Sequence, residues 1–261
     1  MADRNPHLAQ RNARAERSEL LPLGSTATQV VLEFKRLHAE IRRISFVFYP
    51  EAPGLEERAL SNRSLALRSI FSEADSLAKS TGCDVPLWDF AWFLTDDAES
   101  LQQVLAQTLK HDLERQANNT LALDLSSLNR RSIQERIDSL GSNLLLGVCS
   151  KCQLLDGSTA HIPMMDFRCQ ATDENLQKVQ TTLRGIGQSK GYVLESGRSY
   201  HFYGLDLLDQ KSWVRFMANC LLLSPLVDSR YIAHRLIDEM CVLRLSTSQR
   251  HPKTPVVVAS L

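Results

Sequence analysis

One aspartate lies within an apolar stretch of the sequence, where a carboxylate is costly to bury. Asp166 follows an apolar run at 162–165 and precedes Phe167, so it is expected on a strand whose other face belongs to the core. A buried carboxylate needs a cation or a strong hydrogen-bond donor. Mg²⁺ uses such oxygen ligands together with water and phosphate oxygens. Asp166 is therefore a candidate metal ligand, and pairing with Arg168 or a basic residue of a neighbouring strand is the alternative interpretation.

A second candidate is the stretch 197–203, which carries a hydroxyl and an imidazole two residues apart. Strand alternation puts Ser199 and His201 on the same face, with Arg198 at the entrance. This combination suits a phosphate group, and it could also provide a nucleophile and its base. A hydrolase using Ser199 or a cysteine is weakly supported, because the sequence has no nucleophile elbow. A half-buried strand with a hydrogen-bonded histidine is the structural alternative.

The C-terminal part combines one aspartate with a run of basic residues. Asp228 ends an apolar segment, and no acidic residue follows Glu239. The basic residues beyond that point are Arg244, Arg250, His251 and Lys253. Such cations could bind a triphosphate or a nucleic-acid backbone, and a solvated basic terminus is the alternative.

Two of the six cysteines form a CxxC pair, Cys149 and Cys152. A structural zinc ion needs four ligands, and His161 with Cys169 could in principle complete the set. The spacing matches no standard zinc pattern, so buried or incidental thiols are the favoured interpretation. Six cysteines spread over a long chain indicate reduced thiols in a cytoplasmic protein.

The elements that must position these residues follow from hydrophobic periodicity and from Gly and Pro stops. Helices are predicted at 28–41, 55–80, 95–115, 132–140, 173–190, 210–223 and 229–239. Strands are predicted at 44–49, 85–94, 144–149, 161–169, 192–195, 199–203, 241–245 and 256–259. This alternation predicts a mixed α/β or α+β fold. The sequence has no Gly-rich phosphate loop, which argues against a Rossmann or P-loop fold.

Composition limits the class of protein. The chain has 261 residues, and its 30 Lys and Arg balance its 30 Asp and Glu, so any site for a polyanion must be a local patch. No apolar run reaches the length of a membrane span, and the polar start does not fit a signal peptide. We expect a flexible basic segment over 1–25 and one globular domain over 26–261. That domain would comprise an N-terminal part, 26–140, and a part carrying the motifs, 141–261.

Four short motifs occur in an order that resembles the archaeo-eukaryotic primase superfamily, and more narrowly its bacterial primase 1D-like members. They are MMDFR at 164–168, SYH at 199–201, VD at 227–228 and LRLSTSQRHPKT at 243–254. The resemblance covers about residues 140–261. It implies an RRM-like antiparallel sheet core with flanking helices.

The resemblance also implies roles for the residues of these motifs. Asp166 and Asp228 would hold Mg²⁺ or Mn²⁺ and, with His201, would be catalytic. The residues implied to contact an incoming nucleoside triphosphate are Arg198, Ser199, His201, Arg244 and Lys253. The implied function is metal-dependent transfer of a nucleotide onto the 3′-hydroxyl of DNA or RNA.

One position departs from the superfamily pattern. Its first motif normally supplies two carboxylates two residues apart, whereas Arg168 follows Asp166 here. Either another acid such as Asp156 or Asp206 substitutes, or one metal ion suffices, or the protein binds without polymerising. The alternative function is therefore a non-catalytic module that binds nucleotide or nucleic acid through basic residues, namely Arg198, Arg244, Arg250 and Lys253.

Overall fold

The computed structural model describes residues 20–50, 65–81, 87–109, 119–141 and 144–261. Within them the chain forms eight α-helices, nine β-strands and a short 3₁₀ helix at Leu125–Ser127. The helices are Ala27–Leu37 (α1), Leu65–Thr81 (α2), Leu87–Phe93 (α3), Ala98–Leu109 (α4), Arg130–Asp138 (α5), Asp173–Gly185 (α6), Gln210–Leu221 (α7) and Ser229–Ile237 (α8). The strands are Ile41–Pro50 (β1), Thr120–Asp124 (β2), Leu144–Leu154 (β3), Thr159–His161 (β4), Met164–Asp166 (β5), Gly191–Glu195 (β6), Tyr200–Gly204 (β7), Val242–Arg244 (β8) and Val256–Ser260 (β9).

The strands form two antiparallel sheets. In the first sheet the order is β2-β1-β3-β4, and β8 pairs with the first half of β3 while β4 pairs with its second half. In the second sheet the order is β5-β7-β6-β9. The expected mixed α+β fold with antiparallel sheets and flanking helices is confirmed.

The chain passes from the first sheet to the second at Pro163. The sequence predicted one strand over 161–169, but the structure has two short strands, β4 in the first sheet and β5 in the second. Proline has no N–H for a ladder and is tolerated at strand ends. The carbonyl of Pro163 still accepts a hydrogen bond from the Gly204 amide at 2.7 Å, so the switch point is anchored to β7.

Several helices begin at residues that cap them. Thr26 and Gln29 form a capping box at the start of α1, and Asp209 accepts from the Ser212 amide at the start of α7. Such caps satisfy amide groups that have no partner inside the helix. The apolar face of α1, with Val30 and Phe34, packs into the core shared by both sheets.

Residues 87–93 form a helix, so the prediction of a strand over 85–94 is wrong. The run WDFAWF is apolar at almost every position, and such a run has no periodicity that separates a strand from a helix. In the helix Ala91 is fully buried while Phe93 is 87% exposed. Strand β2, by contrast, lies in a region where the sequence predicted no regular element.

The chain divides into two compact units. One comprises residues 1–50 and 113–261, and the other comprises residues 51–112, inserted between β1 and β2. The expected domain over 26–261, with its parts 26–140 and 141–261, stays a prediction. Most of the predicted N-terminal segment 1–25 lies outside the described residues. Among the described helices, none combines the length and the apolar character that crossing a membrane requires.

Candidate functional site

Asp166 and His201 face each other on neighbouring strands of the second sheet. The β5–β7 ladder pairs the two residues directly, and the imidazole Nε2 lies 3.5 Å from the carboxylate Oδ1. Paired residues of an antiparallel ladder project from the same face, so their side chains meet. The structure thus brings together two of the three residues predicted to be catalytic.

Asp228 approaches from the other edge of β5. An isolated antiparallel bridge pairs Phe167 with Val227, and extending this register by one residue sets Asp228 opposite Asp166. Asp228 is also the N-cap of α8, where its Oδ1 accepts a hydrogen bond from the Arg230 amide at 2.9 Å. The Phe167–Val227 bridge and the cap of α8 therefore hold Asp228 near Asp166, close enough for its charge to raise the pKa of that carboxyl group.

The carboxyl group of Asp166 has a strongly perturbed acidity. Burial raises its pKa from 3.8 to about 7; the neighbouring charge of Asp228 also raises it, while Arg244 and Arg235 act in the opposite direction. The side chain nevertheless keeps 44% of its accessible surface. It is therefore surrounded by protein but open to solvent on one side. Such a carboxyl group is suited to exchange its proton for a cation.

His201 provides a neutral imidazole at the same place. Its side chain is 6% exposed, and burial, with the charges of Arg244 and His251 adding to it, lowers its pKa to about 3. Its Nδ1 is buried and has no hydrogen-bond partner among the described residues. Leaving a buried nitrogen unsatisfied is costly, and a bound polar group would remove that cost.

Ser199 donates its hydroxyl proton to the backbone. The side chain is buried and forms a hydrogen bond with the carbonyl of Phe167, the residue after Asp166. This bond fastens the end of β5 to the start of β7. Because the proton goes to a carbonyl rather than to His201, the geometry does not support Ser199 as an activated nucleophile. The predicted contact between Ser199 and a triphosphate stays a prediction.

Arg244 is a buried guanidinium that joins the two sheets. It lies at the end of β8 and donates to the carbonyls of Ser196 at 2.6 Å, Ser246 at 2.5 Å and Lys253 at 3.0 Å. These bonds hold the C-terminal basic segment against the β6–β7 turn. Its charge still acts on the site, since it lowers the pKa of both Asp166 and His201. A direct contact with phosphate stays a prediction.

Arg198 and Lys253 lie at the surface of the same turn. Arg198 is exposed, and the side chain of Lys253 is 70% exposed with its Nζ 3.4 Å from Glu195 Oε1. The main chain brings them close, since Lys253 Cβ is the nearest atom to the position of a Cβ on Gly197. Both cations are open to an anionic ligand approaching this end of the second sheet.

Neither Asp156 nor Asp206, the two acids considered as substitutes for the second carboxylate of the first motif, lies on β5 or beside His201 on β7. Arg168 is half-buried directly after β5. Asp156 lies in the β3–β4 turn, and Asp206 lies beyond the end of β7 that is farther from His201. Neither of these two acids is among the charges that shift the pKa of Asp166.

The first sheet contributes tyrosine and glycine residues that the sequence analysis missed. Tyr49 lies on β1 beside Gly147 of β3, where a Cβ would come within 2.9 Å of the Tyr49 ring. Across the space between the sheets, Tyr203 on β7 is fully buried and its hydroxyl has no hydrogen-bond partner among the described residues. Burial raises the pKa of both phenols, and both also respond to the charge of Asp166. The sequence alone does not indicate that Tyr49 of β1 and Tyr203 of β7 lie near the same carboxyl group.

The cysteines form no zinc site within the described part of the chain. Cys149 and Cys152 are buried, and burial raises the pKa of each thiol to about 12. His161, proposed as a further ligand, has its Nε2 2.7 Å from Gln210 Oε1. No group of three or more potential metal-ligating side chains occurs among the residues that the structure describes.

The absence of a larger group of ligands among the described residues also limits how Mg²⁺ or Mn²⁺ could be bound. The charge of Asp228 acts on Asp166, but these two carboxylates and His201 do not form a group of three potential metal ligands within the described residues. Mg²⁺ is commonly held by one or two carboxylates together with water and substrate phosphates. The donor set therefore fits a cation that is shared with a phosphate ligand, rather than a site built wholly from protein groups.

Comparison with known proteins gives one match. Residues 124–256, just over half of the chain, match the family model described as "Archaeo-eukaryotic primase 1D-like". This range contains every residue predicted for the site. No curated protein and no solved structure matches the chain.

Proposed function

This chain belongs to the archaeo-eukaryotic primase 1D-like family, and on that premise we propose that it transfers a nucleotide onto a nucleic-acid 3′-hydroxyl. The family assignment agrees with the superfamily predicted from the four motifs. A bacterial origin stays a prediction.

The observation that carries the proposal is the pairing of Asp166 with His201 while the charge of Asp228 acts on the same carboxyl group. His201 Nε2 lies 3.5 Å from Asp166 Oδ1 across the β5–β7 ladder, and Asp228 is close enough for its charge to raise the pKa of Asp166. Two adjacent carboxylates repel each other, and this repulsion contributes to the raised pKa of Asp166. A fold that maintains such repulsion beside an open surface is typical of a cation site.

Each protein group has a distinct part in the proposed reaction. Asp166 and Asp228 would hold Mg²⁺ or Mn²⁺, which when bound neutralises phosphate charge as it develops. The neutral His201 can donate one hydrogen bond to a phosphate oxygen, and its buried position fixes the orientation of the ring. Arg244 adds positive potential without moving, because three carbonyl groups hold it.

The reaction itself balances without a further reagent. The 3′-oxygen forms a bond to the α-phosphorus of the nucleoside triphosphate, the bond from that phosphorus to the bridging oxygen breaks, and pyrophosphate leaves. The proton of the 3′-hydroxyl passes to solvent or to an ionised carboxylate. Protein groups contribute mainly position and charge, as expected for phosphoryl chemistry.

The test is extension of a labelled primer on a template with Mn²⁺ or Mg²⁺ and either ribo- or deoxynucleoside triphosphates. We expect extension by the wild-type protein and a loss of at least about a hundredfold in Asp166→Asn and Asp228→Asn, since each removes a charged ligand. Asp156→Asn is the matched control, because this acid lies in the β3–β4 turn. Equal activity in the wild type and all three variants would contradict the proposal.

A second function, binding without transfer, is favoured by one observation. Arg168 occupies the place of a second carboxylate, and Arg198 and Lys253 are exposed. If the protein is only a binding module, its affinity for an oligonucleotide falls with rising salt and is unchanged in Asp166→Asn. Binding that weakens in Arg198→Gln and Lys253→Gln and is unchanged in Asp166→Asn, in a wild-type protein that extends no primer, would favour the binding module.

A further inference from the structure

Arg235 lies on the same face of α8 as the cap residue Asp228. Seven residues make two helical turns, so the two positions are aligned, with Tyr231 between them. Long side chains on a helix point back toward its N-terminus. In agreement with this, the Arg235 guanidinium carbon lies 5.5 Å from the centre of the Tyr231 ring. The guanidinium therefore lies over Tyr231, one turn toward Asp228, and also approaches the C-cap residue Asp238.

Tyr231 and Asp238 contact this guanidinium, but they do not use all of its hydrogen-bond donors. Its Nη2 lies 3.1 Å from Asp238 Oδ2, in a pair whose side chains are only 12% and 1% exposed. Its Nε is buried and has no hydrogen-bond partner among the described residues. A guanidinium has five N–H donors in a fixed fork that matches phosphate oxygens. Arg235 therefore retains donor capacity where solvent cannot easily satisfy it.

Arg235 also belongs electrostatically to the site between the sheets. Its charge acts on Asp166 of β5 and on Tyr49 of β1. These two residues belong to different sheets, so the charge of Arg235 is felt on both of them. The sequence analysis did not identify it, although its spacing from Asp228 was visible.

We propose that Arg235 binds a phosphate oxygen of the nucleoside triphosphate whose metal ion is held by Asp166 and Asp228, an inference that rests on the proposed function. A divalent cation offsets the two carboxylates, but a triphosphate brings further negative charge. A pre-positioned guanidinium supplies the charge and the paired donors that a phosphate requires. In a purely structural role, Arg235 would only neutralise Asp238.

The test uses the double variant Arg235→Gln with Asp238→Asn, which keeps two hydrogen-bonding amides in place of the ion pair. The control is Arg131→Gln with Glu135→Gln on α5, an exposed pair whose Nε–Oε1 distance is 2.7 Å. Neither double variant changes net charge. The probes are Mn²⁺ alone, ATP with Mg²⁺, tripolyphosphate with Mg²⁺, and a short oligothymidine, each measured as a dissociation constant beside the melting temperature.

We expect the Arg235/Asp238 variant to bind ATP and tripolyphosphate about tenfold or more weakly, with Mn²⁺ affinity retained and the control unchanged. Unaltered affinity for both triphosphates would overturn the inference, as would a loss confined to oligothymidine or a loss of Mn²⁺ and triphosphate that parallels a fall in melting temperature. A wild-type protein that binds neither Mn²⁺ nor ATP would instead contradict the proposed function itself.

Discussion

At the scale of single residues, the site combines ionisable groups whose charged forms are disfavoured by burial. Asp166 lies beside Asp228, and burial works against its ionised form. His201 stays uncharged because burial and two nearby cationic groups oppose its protonation. Near neutral pH, ionising the buried Asp166 costs the folded protein stability when no ligand is bound, whereas the uncharged His201 adds no such cost. Perturbed acidity of this kind is commonly concentrated at functional sites.

This cost leads to a prediction about stability and pH. The pKa of Asp166 is about 7 in the folded chain against 3.8 for the ordinary group, so between these values the native state holds a proton that the unfolded chain releases. Stability from this group therefore falls as pH rises through that window and stays low above it. Asp166→Asn removes the penalty, and its melting temperature should exceed that of the wild type by more at about pH 8 than at about pH 5.

Thermal unfolding at both pH values measures this effect, with Asp156→Asn as the control that keeps the site intact. An Asp166→Asn variant that melts below the wild type at the higher pH would show that the carboxylate is not strained by its surroundings. Addition of Mn²⁺ at the higher pH should raise the melting temperature of the wild type and leave that of Asp166→Asn nearly unchanged.

At this scale the sequence was informative about chemistry but not about neighbours. Asp166, His201 and Asp228 were identifiable as isolated polar residues in apolar stretches, and the order of their motifs gave the family. Tyr203 and Arg235 were not identified, because a tyrosine in a strand and an arginine in a helix are ordinary until the fold shows what lies opposite. Ser199 was identified, but its hydroxyl proved to donate to the Phe167 carbonyl.

At the scale of elements, the site depends on strand β5 and on the start of helix α8, each of which has two structural roles. Strand β5 is only three residues long, and it pairs with β7 on one side while the adjoining Phe167 bridges to Val227 on the other. Helix α8 begins at Asp228, so the carboxylate that faces Asp166 is also the cap of that helix. Such a double role couples the position of the carboxylate to the formation of the helix.

The two tasks of Asp228 can be separated by substitution. Asn caps a helix about as well as Asp, whereas Ala does not. Asp228→Asn should therefore keep the unfolding free energy of the wild type or exceed it, since repulsion of Asp166 is lost. Asp228→Ala should lose about 1 kcal/mol relative to Asp228→Asn. Chemical denaturation measures both, and both variants should lose Mn²⁺ affinity alike. Equal stability of the two variants would contradict the capping role.

Element prediction succeeded where periodicity and stop signals agreed. The helices starting at Asp173, Gln210 and Ser229 follow capping residues and were predicted within a few positions. The strand predicted over 161–169 was divided by Pro163, because the chain changes sheets there. Helix α3 was mistaken for a strand, since a run that is apolar at almost every position carries no clear period.

At the scale of the whole molecule, the functional groups converge because two antiparallel sheets meet. Arg244 at the end of the first sheet donates to the Ser196 carbonyl that follows β6 of the second sheet. Tyr49 and Tyr203 belong to different sheets, and the charge of Tyr49 contributes to the raised pKa of Tyr203. Contacts of this kind depend on long-range packing, which no local pattern encodes. The mixed α+β class was predictable from element order, whereas the pairing order of strands and the inserted unit were not.

The central claim is that a divalent cation is held between Asp166 and Asp228 beside His201. Diffraction from crystals grown with Mn²⁺ and ATP, recorded at a wavelength where manganese scatters anomalously, locates the ion directly. Our account predicts one anomalous peak at about 2.1 Å from an oxygen of each carboxylate, with triphosphate oxygens completing the shell. A manganese peak elsewhere in the molecule, or none between these two residues although ATP is bound, would contradict it.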